Sequence, residues 1–257
     1  MLHRTAPSIL AAAILACTAP LVQAAPDEIQ VYTEEMDDPG EFGLELHVNY
    51  SVKGNTAPAY AGEMPPNHML QVTPEFSYGI TKQLEAGLYV PFAMSPGGET
   101  YNNGLRLRLK YMAPRPDDQP FFWGINTELG YYARRVAESN WGMELRPIIG
   151  YRTYNWLVSF NPILDAELSN NVDHDPSFEP ALKISRRVSG TTRAGFEYYG
   201  GFGAIDHPLP KDQRNHYLYA ALDYEQQGYD INFGIGRGYV QATDKWVVKA
   251  IIAFPFK

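Results

Sequence analysis

The chain has 257 residues, and 29 acidic against 21 basic side chains give it a formal charge of −8, which excludes a protein built to bind a phosphate backbone. Its 18 Tyr, 12 Phe and 22 Gly point to strands and turns rather than helices. Cys17 is the single cysteine, so a disulfide-stapled fold is excluded.

The first element is an export signal. His3 and Arg4 precede an apolar stretch from Ile9 to Cys17, and Val22-Gln23-Ala24 closes the pattern. Residues 1–24 therefore read as a cleaved signal peptide, with Ala25 as the first mature residue. Ile14-Leu15-Ala16 ahead of Cys17 is a poor match to a lipidation site, and Cys17 lies inside the apolar region. Cleavage removes Arg4 and no acid, leaving 20 bases against 29 acids. No later run reaches the roughly eighteen apolar residues of a membrane helix, so a closed barrel is the remaining way to cross a bilayer.

Residues 25–41 carry Asp27, Glu28, Glu34, Glu35, Asp37, Asp38 and Glu41. Such a charge run reads as a solvated periplasmic leader; docking a partner, binding cations and entering the lumen as a plug are its alternatives.

Strict alternation begins at Phe42. Phe42, Leu44, Leu46, Val48, Tyr50 and Val52 form one row, with Gly43, Glu45, His47, Asn49 and Ser51 on the other, the period-two signature of a strand. The apolar row recurs as Leu70 to Tyr78, then after a tight turn as Leu84 to Phe92. Leu105 to Tyr111 alternates with Arg106, Arg108 and Lys110, and Trp123 to Tyr131 follows the connection Pro114–Pro120. Further rows run through Trp141 to Tyr151, Trp156 to Leu164, Phe178 to Val188, Ala194 to Phe202, Leu218 to Tyr224, Tyr229 to Ile235 and Trp246 to Phe256. These make twelve strands of about ten residues, the length a tilted strand needs in a bilayer.

The expected fold is all-β, a transmembrane antiparallel up-and-down barrel over residues 42–257. Six connections, Gly54–Asn67, Ser95–Asn103, Ala137–Asn140, Ser169–Pro176, Ala204–Asn215 and Val240–Asp244, fall on one side as extracellular loops, with mostly shorter periplasmic turns opposite. Trp123, Trp141, Trp156 and Trp246 lie near strand ends, as aromatic girdles require. Pro74, Pro147 and Pro162 sit inside strands and call for bulges or displaced limits. Arg186 and Arg237 interrupt the apolar row and call for interfacial positions where they can snorkel.

The closing segment Trp246–Lys257 resembles the terminal strand signal read by the barrel assembly machinery, with Phe256 as its aromatic and Lys257 as a departure from the usual ending. Two stretches, residues 74–88 (PEFSYGITKQLEAGL) and 104–111 (GLRLRLKY), resemble the outer-membrane transporters named for the meta-pathway of phenol degradation. That resemblance covers two hairpins strongly and the remaining chain by architecture, and it implies uptake of small, often aromatic solutes across a Gram-negative outer membrane. It carries over no ligand residue.

If the apolar rows face lipid, Arg106, Arg108, Lys110, Glu75, Glu85, Glu128, Glu144 and Arg146 line the lumen. Three bases on one face of one strand favour an anionic group, unless facing carboxylates neutralise them. An interior filled by paired charges is the plainer reading of any single pair. His47, His68, His174, His207 and His216 read as solvated loop residues rather than metal ligands; only Asp173-His174-Asp175 approaches ligand spacing.

No cofactor or metal is expected. The partners expected are outer-membrane lipids, the assembly machinery and a small solute, with no nucleic acid. The functional expectation is a passive, non-enzymatic channel for aromatic or anionic solutes. A closed structural or adhesion barrel and a barrel-embedded lipid hydrolase are the alternatives.

Overall fold

The computed structural model describes residues 28–170, 172, 174–240 and 243–256. The signal peptide, the weighed site at Cys17, Asp173 and Lys257 lie outside them. The elements are β1 (Phe42–Lys53), β2 (Leu70–Thr81), β3 (Leu84–Tyr89), β4 (Phe92–Met94), β5 (Thr100–Asn102), β6 (Gly104–Met112), β7 (Phe121–Tyr132) and β8 (Trp141–Arg152). They continue as β9 (Trp156–Asn161), β10 (Leu164–Glu167), β11 (Ser177–Phe178), β12 (Ala181–Arg187), β13 (Thr192–Gly201), β14 (Asn215–Gln226), β15 (Tyr229–Gly238) and β16 (Trp246–Phe256).

Every pairing is antiparallel, and β1 pairs with both β2 and β16, which closes the sheet on itself. Four staves are each broken in two (β3 with β4, β5 with β6, β9 with β10, β11 with β12), so sixteen segments make the twelve staves expected. Closure leaves no strand edge, the condition for backbone in hydrocarbon. Among the described residues no helix is long and apolar enough to cross a membrane.

The prolines explain the breaks. Pro74 and Pro147 stand within unbroken β2 and β8, paired with Leu46 and Ile125 on one side. On their other side the neighbouring staves lose their ladders, at Val90-Pro91 and at Pro162-Ile163. Pro180 breaks the next stave opposite Pro162. Residues lacking a donor thus face one another across adjacent staves, and surviving bonds, Val90 N–H to the Pro74 carbonyl (3.0 Å) and Glu179 N–H to the Ile163 carbonyl (2.9 Å), bridge the gaps.

Burial is inverted relative to a water-soluble protein. Leu107 is 58% exposed and Phe196 61%, whereas Lys249 and His47 are 0% exposed. The apolar rows face outward and the polar rows inward, as the alternation predicts. Trp123 and Trp156 lie at the end bearing the shorter turns, Trp141 and Trp246 at the loop end. Tyr111 and Tyr131 pack edge-on against Trp123 and Trp141, at 6.3 and 5.5 Å between centroids.

One expectation is overturned. Residues 28–37 are not a solvated leader: Ile29, Val31, Tyr32 and Thr33 are buried, and the segment lies in the barrel lumen. The physical reason is that apolar side chains interleave with its acids, and both find partners on the inner wall.

Candidate functional site

The inner wall is built by the polar rows. Arg106, Arg108 and Lys110 project inward from β6, Glu75 from β2, Glu85 from β3, Glu128 from β7, and Glu144 and Arg146 from β8. These eight side chains come together on the inner wall. Adjacent glycine makes room for the largest of them: a Cβ on Gly87 would collide with the Arg108 guanidinium, its cross-strand neighbour.

The bases are not free. Arg108 pairs with Glu85 (2.5 Å) and Glu75 (2.9 Å), and Arg106 with Glu28 (3.1 Å) and Glu128 (3.7 Å). Lys110 donates to the Glu35 carbonyl at 2.5 Å. Arg146 meets Glu144 at 2.7 Å and Glu28 at 3.5 Å. Facing carboxylates thus neutralise much of the base ladder, and Glu28, from the N-terminal segment, links two staves.

Tyr32 anchors that segment. Its amide donates to Asn161 Oδ1 (2.7 Å), and its carbonyl accepts from Ser159 Oγ (2.6 Å) and Asn161 Nδ2 (3.1 Å). Its hydroxyl bonds that of Tyr89 and donates to Glu128. The Arg146 guanidinium lies 4.2 Å above its ring, within cation–π range. The ring also packs with Met112, Phe122, Ile148 and Leu157, an apolar cluster inside an otherwise polar lumen.

Below Tyr32 the segment leaves through the turn end. Glu34 pairs with Arg115 (3.1 Å) and Arg152 (2.7 Å), and Glu35 with Arg152 (2.6 Å). Asp37 accepts from Ser77 and offers its amide to Glu85 at 2.6 Å. Above Tyr32, the Ile29 carbonyl accepts from Lys249 at 2.8 Å, and Lys249 also pairs with Glu197. Sequence reasoning did not choose the plug reading. Its signal was Ile29, Val31, Tyr32 and Met36 set among the acids.

A cavity of about 360 Å³ runs beside the segment, with Lys110, Arg152, Lys183 and Arg193 among its lining residues. It shares Glu35, Arg152, Arg193, Glu225 and Asp230 with a more open cavity of about 800 Å³ at the turn end. At the loop end the connection between β1 and β2 folds inward: Met64 and Met69 pack on Ala93, an inward residue of β4. Glu63 of that connection is buried, and burial pushes its carboxyl above the usual range while the Ala59 amide opposes the shift. Burial likewise raises Asp244, which accepts from Ser51 Oγ (2.9 Å) and the Asn55 amide (3.0 Å).

The histidines divide. His47 is no loop residue: it is buried in β1, with Glu75 at 3.0 Å and Glu45 at 3.7 Å. Those three could offer metal ligands, but Arg108 already supplies positive charge to Glu75. His216 opens β14 and is bonded to Tyr198 Oη (2.7 Å). His174 lies 2.6 Å from the Glu167 carbonyl and His207 2.6 Å from Asp206, both exposed.

No family model and no curated protein matches the chain. Among solved structures it is similar to the COG4313 outer membrane channel from Pseudomonas putida F1, with a TM-score of 0.64 and 13% identity over 89% of this chain and 100% of that one. It is also similar to the KdgM porin (TM-score 0.58, 9% identity, 84% and 99% coverage) and the NanC porin (0.56, 10%, 83% and 99%). At such identities the likeness establishes the fold, an outer-membrane type of barrel.

Proposed function

We propose that the protein is a passive outer-membrane channel for small solutes, anionic or aromatic, of the kind implied by its resemblance to the meta-pathway transporters, with its own N-terminal segment as an internal plug. The carrying observation is the polar cavity beside that segment, continuous in its lining with the open turn-end cavity and bordered by Lys110, Arg152, Lys183 and Arg193. Rings also border the lumen: Tyr32 and Tyr89 on one side, Tyr199, Tyr217 and Tyr219 on the other. Inward cations over aromatic faces suit a solute with an anionic group on a flat apolar body.

A closed structural barrel is the second reading, favoured by the single carboxylate of Glu28 set between Arg106 and Arg146. The contacts of His47, His174, His207 and His216 lend a hydrolase no support. Planar-bilayer recording separates the readings. The channel reading expects discrete conductance steps whose reversal potential under a salt gradient shifts in Arg106→Ala/Arg108→Ala/Lys110→Ala. A folded barrel with no steps, with or without residues 28–37, moves the assignment to a closed barrel.

A further inference from the structure

Two arginines, Arg186 and Arg237, interrupt the outward rows, and no ion pair among the described residues engages either of them. The outward rows of the twelve staves otherwise carry no charged residue: strand acids such as Glu75, Glu128, Glu197 and Asp223 all point inward. Arg237 is exposed near the loop end of β15, and its guanidinium carbon lies 5.5 Å above the Trp246 ring.

A third cation joins them through an irregularity. By simple alternation Lys53 would follow Ser51 into the lumen. The β1–β16 register instead shifts between Ser51 and Lys53, so that Ser51 pairs with Val247 and Lys53 with Trp246. Val247 is buried inside and Trp246 is exposed outside, so the bulge turns Lys53 to the outer face. Arg237, Trp246 and Lys53 thus stand side by side on β15, β16 and β1. Asp244, two residues before Trp246, is turned inward to Ser51 and Asn55 and neutralises neither cation.

We propose that Arg237, Trp246 and Lys53 form a docking site on the lipid-facing surface for the phosphate of a membrane-lipid headgroup in the leaflet at the loop end. A cation on an otherwise apolar barrel face is costly in hydrocarbon and tolerable at headgroup depth. The guanidinium fork matches phosphate geometry, and Trp is suited to the same interfacial level. Charge complementarity selects the occupant: two cations flank an aromatic ring, and among the described residues no carboxylate stands beside them on the outer wall.

Arg186 provides an internal comparison. It stands directly opposite Trp156 across β12 and β9, 5.5 Å above its ring, but at the turn end and without a neighbouring outward cation.

The test uses the folded protein in phosphatidylcholine nanodiscs doped with diphosphoryl lipid A, with lipids retained on the barrel counted by native mass spectrometry. Wild type is expected to retain the phosphorylated lipid in excess over phosphatidylcholine. Arg237→Gln and Lys53→Gln should each lower that excess about five-fold, as for a cation near an anionic surface. Arg186→Gln should leave the loop-end occupancy unchanged, and none of these variants should alter single-channel conductance. No excess in wild type, equal retention by the double variant, or equal retention of lipid A stripped of its phosphates would each overturn the proposal.

Discussion

Replacing Glu28 by Gln tests whether the N-terminal segment is held in the lumen by charge. The Glu28 side chain is 3% exposed, between Arg106 at 3.1 Å and Arg146 at 3.5 Å, themselves 8% and 7% exposed. Removing one partner of a buried pair costs ~3–5 kcal/mol, because the remaining charges lose compensation. The low end applies here, since Arg106 keeps Glu128 and Arg146 keeps Glu144. A loss of about 3 kcal/mol moves the docked-to-released ratio of the segment by about a hundredfold. The assay places a cysteine reporter, Gln30→Cys, in protein produced from Ala25 onward, which then has no other thiol. Reaction with a bulky maleimide should be slow in the reporter alone and about a hundredfold faster with Glu28→Gln if opening limits labelling, with longer open dwell times in bilayer recordings. Equal labelling rates and unchanged dwell times in a folded barrel would refute charge-held docking.

Two further outcomes follow from the loop end and the packing. Burial raises both Glu63 and Asp244, so the folded loop end binds protons more tightly than the open one; its stability is fully present at acid pH and is lost as pH rises through the raised values. Conductance noise should therefore grow as pH is raised above the ordinary carboxylate pKa of about 4, and Glu63→Gln should reduce it at the upper end of that titration. No pH dependence in wild type would break this link. Gly236→Leu places a Cβ against the Tyr219 ring and should cost ~1–3 kcal/mol by overpacking, read as a lower temperature for the unfolding band shift on gels. Gly190→Ala, with open space around its Cβ, serves as the neutral control.

The barrel was legible because alternation is a local signal repeated twelve times. Each apolar row fixes which face is outward, and one-residue slips would put charges such as Glu128 or Lys249 in lipid. The prolines were legible as faults but not as a design. Pro74, Pro147 and Pro162 break rules one strand at a time, and only the register brings Pro147 opposite Pro162, and Pro162 opposite Pro180, so that missing donors coincide. The bulge that turns Lys53 outward was equally invisible, since it exists only as a shift relative to β16. The pairing of the inward-row residues was not legible, because it depends on distances around a closed wall. Arg106, Arg108 and Lys110 read as a ladder for an external anion; carboxylates on β2, β3, β7 and the N-terminal segment meet the two arginines instead, and Lys110 meets the Glu35 backbone carbonyl.

The N-terminal segment shows why charge counting misled. The inner wall carries acids such as Glu45, Glu75 and Glu128 beside its bases, so it offers no net positive charge to draw in an acidic peptide. Docking is instead local: Glu28 meets two arginines in mid-lumen, and Glu34 and Glu35 meet Arg115 and Arg152 at the turn end. Between these pairs, Tyr32 satisfies its backbone on Ser159 and Asn161 and buries its ring among Phe122, Ile148 and Leu157. A solvated leader has no use for that ring. The specific contacts therefore decide the position of the segment, and the field around them sets how readily it leaves. Raising salt should weaken the exposed Glu35–Arg152 pair first and the buried Glu28 pairs last, so release is expected to begin at the turn end.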